Sequence, residues 1–379
     1  MKLVVAIDSF KGSISSLEAG NAVKEAALRL DANAEVAVCP LADGGEGTVE
    51  ALSAGLGGEL VTVSVCGPLS QPVDATYCYL RDRNTAVIEM SAAAGITLVT
   101  PEQRNPLHTT TYGVGELIAD AIRRGCRDFI IGIGGSATND GGVGMLSALG
   151  FAFLDEQGNP IQAGAKGLET LHRITCDNVL PELAHCRFRI ACDVTNPLCG
   201  PRGCSAVYGP QKGATPAMVE QMDGWLHHYA TLAATVSKTA DAAFPGAGAA
   251  GGLGFAFLAF TNATLESGVQ IILNETRLED YIKEADLVIT GEGRLDSQTV
   301  MGKAPIGVAK LAKQHHKPVL GFSGCVTADA AVCNDHGIDA FFPILPTVLT
   351  LEEALDPQNA YQNLRNTAYQ ALRLFCLQK

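Results

Sequence analysis

The sequence predicts an α/β protein of two domains: a doubly wound, parallel-sheet domain built from both ends of the chain, and a mixed α/β domain inserted between them. Three observations carry this. The first residues alternate buried strand and amphipathic helix. The stretch from about residue 60 changes to period-two alternation. The tail from about 285 resumes the strand–loop–helix rhythm of the start.

The elements follow in order. "KLVVAID" is a continuous apolar run, as in a strand covered on both faces. "SISSLEAGNAVKEAALRL" has apolar residues at helical spacing, with Ser15 or Ser16 as N-cap. "AEVAVCPLAD" is a second strand and "GGEGTVEALSAGL" opens a second helix, a βαβα start that implies right-handed crossovers. "ELVTVSVCGPLSQPVDATYCYLRDRNTAVIEMS" alternates apolar and polar residues between Gly-Pro and Asp-Arg-Asn turns, which predicts antiparallel hairpins. "YGVGELIADAIRRGCRDFIIGIGG" returns to helix and buried strand; "FAFLDEQGNPI" is hairpin-like; "RFRIACDVTNPL" is a strand ending in a polar loop. A helical stretch runs from about 215 to 240. The joints are expected near 62 and 285, to within about ten residues, giving 1–62 with 285–379 and an insertion of 63–284.

Composition narrows the function. Of 379 residues 47% are hydrophobic and 18% charged, ample for packed cores. A net charge of −13 disfavours nucleic acid and anionic membranes as partners. The five-residue apolar run at the N-terminus ends at Asp8, which is no signal peptide, and no stretch approaches the roughly 20 residues of a membrane span. Twelve cysteines without a C-x-x-C, several in strand-like runs (Cys39, Cys78, Cys192), read as reduced core residues of a cytoplasmic protein.

The glycines carry the functional signal. "GAGAAG" (246–251) is a literal G-x-G-x-x-G but follows no strand, so the context of a dinucleotide turn is missing. "GIGGSA" (132–137) does follow a strand, but Asn139-Asp140-Gly141-Gly142 stands where the phosphate-bearing helix belongs, and Asp155 sits in a hairpin turn. No P-loop, protein-kinase motif set, G-x-S-x-G elbow or H-E-x-x-H occurs. What remains is a set of glycine loops at element ends that also hold charge: "SFKGS" (9–13), "ADGGEGT" (42–48), "GGSATNDGG" (134–142), "DVTNPLCGPRG" (193–203), "GPQKGA" (209–214) and "TGEGRLDSQTVMGK" (290–303). Loops needed only for turning would not concentrate Lys11, Lys212, Arg294 and Lys303 in a chain short of positive charge; convergent N–H groups and cations suit an anion.

Taken in order, these loops, with "NPLCGPRG…YGPQKGA", "GAGAAGGLG" (246–254) and "ADLVITGEGRLDSQTVMGKAP", resemble the bacterial glycerate kinase family from Lys2 to past Gly324. The departures are small: Cys204 and Tyr208 stand where Ala and Phe are expected. The resemblance implies a discontinuous Rossmann-like (flavodoxin-like) domain with an inserted α/β domain and the active site in the crevice between them. It implies phosphorylation of D-glycerate by ATP with Mg²⁺, in glyoxylate and sugar-acid catabolism, and is compatible with a homodimer. Given that reaction, Asp193, at the end of a strand, is expected to take the acceptor hydroxyl's proton, with Asp296 and Asp43 in reserve or holding Mg²⁺ carried mainly by ATP. Arg294 is expected to fork onto the glycerate carboxylate and Lys11 and Lys303 to meet phosphates. Gly134, Gly135 and Ser136 are expected to offer N–H and O–H donors, with Ser9 and Lys212 further along the same site. A dinucleotide-dependent oxidoreductase and a non-catalytic small-ligand binder are the competing classes.

Overall fold

The computed structural model describes residues 1–42 and 47–377. They form two compact units. One comprises the described residues of Met1–Asp43, Glu50–Gly57 and Val269–Lys379; the other those of Gly44–Val49 and Gly58–Gly268.

The first unit is built on a parallel five-stranded sheet in the order Glu35–Val38, Lys2–Ile7, Leu287–Leu295, Val319–Val326, Ala340–Pro343. Counted as this unit supplies them, the strands lie 2-1-3-4-5, the flavodoxin-like order, with its switch point between Lys2–Ile7 and Leu287–Leu295. Leu3 to Ile7 are all buried because helices cover both faces, which is why the strand reads as an unbroken apolar run. Helix Ser16–Leu30 begins at a capping box: Glu18 N–H donates to Ser15 Oγ and Ser15 N–H to the Glu18 carboxylate, so Ser15 is the cap. Ser16 does something else. Its hydroxyl donates to Ile7 C=O and accepts Leu41 N–H, tying the ends of two neighbouring strands together. The helix buries Ala19, Val23 and Ala26 in one cluster with Leu364, Ala368 and Leu372 of helix Pro357–Cys376.

The joint expected near 285 lies instead at Gly268–Val269. Helices Gly268–Glu275 and Leu278–Glu284 bury Val269, Ile272, Leu278 and Ile282, and Val269 packs so closely on Gly307 that a Cβ there would lie 2.5 Å from its side chain. Their apolar faces therefore assign them to the first unit.

The second unit holds a six-stranded mixed sheet in the order Ala263–Glu266, Arg187–Ala191, Asp128–Gly132, Thr85–Glu89, Pro72–Leu80, Glu59–Cys66. The first four are parallel; the last two are the antiparallel hairpin that the alternation around residue 60 predicts. Phe129 and Phe188 stack at 4.8 Å on adjacent strands, with Phe257 of helix Ala249–Phe260 beside them. A two-stranded ribbon pairs Ala152–Leu154 with Arg173–Thr175, and Asp155 caps the adjacent turn by accepting Asn159 N–H at 2.8 Å. All twelve cysteines are free thiols. Among the described residues no helix is long and apolar enough to cross a membrane.

Candidate active site

In open parallel sheets ligands bind beyond the carboxyl ends of the strands at the switch point. Here that point is marked by Asp8 after one strand and by Glu292, Gly293 and Arg294 at the end of its neighbour. A cleft of about 580 Å³ opens there, and Ser9, Lys11, Arg294 and Lys303 all line it. Asp8 is buried, its N–H donating to Gly291 C=O and its carboxylate accepting Ser9 N–H at 2.7 Å. Lys11 projects from a tight turn closed by Phe10 N–H on Ile14 C=O.

Lys303 stands at the N-cap of helix Ala304–Gln314, where the helix dipole adds to its charge. Its ammonium meets Glu292 Oε2 at 3.2 Å, and the other Glu292 oxygen accepts the Thr299 hydroxyl at 2.6 Å. Burial raises the Glu292 pKa, while the Thr299 bond and the Lys303 charge pull the other way. Glu292 is the residue that sequence reasoning missed. An acidic side chain in the same strand end as Arg294 was the available signal.

Arg294 is mostly exposed, and its Nε meets Asp296 Oδ2 at 3.1 Å. The other Asp296 oxygen accepts Gln298 N–H at 2.9 Å, so this carboxylate orients the guanidinium and caps a turn. Among the described residues no group of three or more His, Cys, Asp or Glu could hold a metal ion. Asp43 lies outside the described residues.

The second unit carries the remaining candidates. After strand Asp128–Gly132 the glycine loop divides in two. Gly134 and Gly135 are exposed, whereas Ser136 to Asp140 are buried. Lys212 is only 2% exposed and donates to Ser136 Oγ at 2.8 Å and Thr138 C=O at 2.6 Å. Burial pulls its pKa down to about 8. Lys212, expected at a phosphate site, lies inside the unit with its ammonium on the protein oxygens of Ser136 and Thr138. Asp140 accepts both the N–H and the hydroxyl of Thr111 at 2.8 Å, plus the Gly142 and Gly144 N–H groups. The literal G-x-G-x-x-G packs against this buried half. Gly251 C=O accepts Gly141 N–H, and a Cβ on Gly251 would sit 2.1 Å from Thr138 C=O. These glycines let two loops touch. Asp193 lies two residues past strand Arg187–Ala191, exposed, and accepts Gly268 N–H at 3.3 Å.

The glycerate kinase family profile matches residues 3–376. The chain belongs to the glycerate kinase family. It is 48% identical over 374 residues to glycerate kinase of Haemophilus influenzae, covering 99% of this chain and 98% of that one. It is 48% identical to glycerate 2-kinase of Escherichia coli K12, covering 96% of this chain and 95% of that one. A crystal structure from Salmonella typhimurium LT2 that carries a glycerate kinase 2 designation superposes with a TM-score of 0.91 at 48% identity, covering 100% of this chain and 98% of that one. As a glycerate kinase this chain is a phosphotransferase with an alcohol group as acceptor, and both dinucleotide chemistry and a non-catalytic role give way to that family membership.

Proposed function

We propose that this glycerate kinase transfers the γ-phosphoryl group of ATP to the 2-hydroxyl of D-glycerate, in glyoxylate and sugar-acid catabolism in the cytoplasm. The observation that carries the reading is the cleft at the switch point. Lys11, Arg294 and Lys303 line one concavity in a chain whose net charge is −13. The name of the Escherichia coli relative supports the 2-hydroxyl as acceptor.

Phosphoryl transfer asks the protein chiefly for positioning and for neutralisation of charge that spreads over the transferring oxygens. Lys303, steered by Glu292, and Lys11 supply point charges to the phosphates. Arg294 presents its fork to the glycerate carboxylate, with Asp296 fixing the plane of the guanidinium. Ser9 offers a hydroxyl beside them. In the second unit, the exposed Gly134 and Gly135 and the Ser136 hydroxyl offer donors to phosphate oxygens. Lys212 occupies an Oγ lone pair of Ser136, which turns that hydroxyl into a donor. Asp193, exposed and held by Gly268 N–H, takes the acceptor proton. Mg²⁺ carried by ATP would neutralise charge on the phosphates, with Asp296 and Asp43 the carboxylates offered to it; such an ion keeps several waters and needs at most one or two carboxylates.

The test is ADP release from ATP–Mg²⁺ dependent on D-glycerate, with phosphorus NMR of the product. A phosphomonoester signal on the secondary carbon is expected. A signal on the primary carbon overturns the regiochemistry, and the absence of glycerate-dependent ADP overturns ATP as donor.

A further inference from the structure

The cleft is too large and too apolar for glycerate alone. A three-carbon acid takes up on the order of 100 Å³, a few waters' share of liquid, against a cleft of about 580 Å³. The lining also changes character. Ser9, Lys11, Arg294 and Lys303 form one part, while Ile344, Leu345, Leu349, Leu351 and Leu355 form another. Glycerate, with a carboxylate and two hydroxyls on three carbons, has no apolar face to lay against five aliphatic side chains.

Ile344 anchors this part in the core of the unit, whereas Leu351 and Leu355 are held outside it. Helix Leu351–Leu355 is short, but Thr350 and Glu353 close a capping box at its start, with Thr350 N–H on Glu353 Oε2 at 2.9 Å and Glu353 N–H on Thr350 Oγ1 at 3.2 Å. Leu351 is nevertheless 75% exposed and Leu355 is exposed as well. A fixed element that turns leucines to open space beside a charged concavity has the make-up of a ligand site: mostly apolar, with a few convergent polar groups.

We propose that this wall receives the adenine and ribose of ATP, with the triphosphate running to Lys11 and Lys303. The inference rests on the kinase reading above. Among the reaction's components only the nucleoside offers a broad apolar face, and only a nucleotide combines such a face with several negative charges. The nucleotide-binding unit is then the flavodoxin-like one, and Leu351 and Leu355 determine affinity for the base.

The experiment compares wild type with Leu351→Ser/Leu355→Ser and with Val348→Ser, a 97% exposed neighbour outside the cleft lining. Probes are ADP by calorimetric titration and inorganic tripolyphosphate, which has charge but no base, as a competitor. The double variant is expected to weaken ADP about tenfold and leave tripolyphosphate unchanged, with Val348→Ser matching wild type for both. Because both leucines are exposed, far-UV circular dichroism is expected to match wild type, and ADP titration is read on that preparation. Unchanged ADP affinity overturns the proposal, as does an equal loss for ADP and tripolyphosphate. The two readings fail separately. Wild type without glycerate-dependent ADP release sinks the ATP reading, whereas an active wild type with an indifferent double variant sinks only the base site.

Discussion

Lys303 and Arg294 reach the cleft with different anchors, and the difference sets what each residue tolerates. Lys303 leans on Glu292, which also holds the Thr299 hydroxyl, whereas Arg294 leans on Asp296, which also holds Gln298 N–H; both carboxylates are buried. Arg294→Lys keeps the charge and loses the fork. It is expected to raise the Michaelis constant for glycerate more than that for ATP, and an unchanged glycerate constant removes Arg294 from the carboxylate. Asp193→Asn retains an oxygen to accept Gly268 N–H, so the fold is expected to hold while turnover falls about 10²–10⁴-fold. Near-wild-type turnover, with ATP binding intact, moves the proton acceptor elsewhere. The cations were legible in the sequence because they interrupt glycine loops in an acidic chain. Glu292 was not, because an acidic residue near Arg294 and Asp296 in "VITGEGRLDS" does not by itself say which side chain it will face.

At the scale of elements, the loop from Gly134 to Gly142 joins an open half to a packed half, and each half has its own test. Gly135 has a φ of +73°, and an added Cβ would meet Ser91 Cβ at 3.5 Å, an ordinary van der Waals contact. Valine there would be strained by the backbone alone, so Gly135→Asn, which tolerates the left-handed region, is the better probe. It is expected to weaken ATP binding while moving the melting temperature little. A lower melting temperature with unchanged ATP affinity would give Gly135 a purely structural role. Gly251→Ala, by contrast, drives a methyl into Thr138 C=O and is expected to cost about 1–3 kcal/mol in denaturant unfolding. Lys212 ties the packed half to the turn Pro210–Lys212. Its pKa is about 8 when folded and 10.5 ordinarily, so between those values the unfolded chain binds the extra proton and stability rises with pH. The cost of the buried charge, on the order of 3 kcal/mol, is fully present below about pH 8 and relieved toward pH 10.5. Wild-type stability relative to Lys212→Met is therefore expected to climb across that window. A flat difference would mean that Lys212 titrates normally.

For the whole molecule, ATP–Mg²⁺ is expected to raise the melting temperature by mass action, and NADH is not. Stabilisation by NADH alone would return "GIGGSA" to the dinucleotide reading. The chain by itself determined the local alphabet: where strands are covered on both faces, where period two replaces 3.6, that a serine caps the first helix, and that ordered motifs resemble those of glycerate kinases. Those are properties of near neighbours in sequence, and near neighbours are what periodicity and caps report. The tertiary structure alone decided which strand lies beside which. Pairing Ile7 with Gly291 brings Ser9 and Arg294 to one cleft, and the burial of Lys212 against Ser136 and Thr138 takes an apparently surface cation inside. It also decided that the most literal glycine motif serves loop packing, and that helices before residue 285 belong to the first unit. Each of these depends on contacts between residues far apart in the chain, whose free energy comes from burial and charge pairing in three dimensions and leaves no periodic trace in the local sequence.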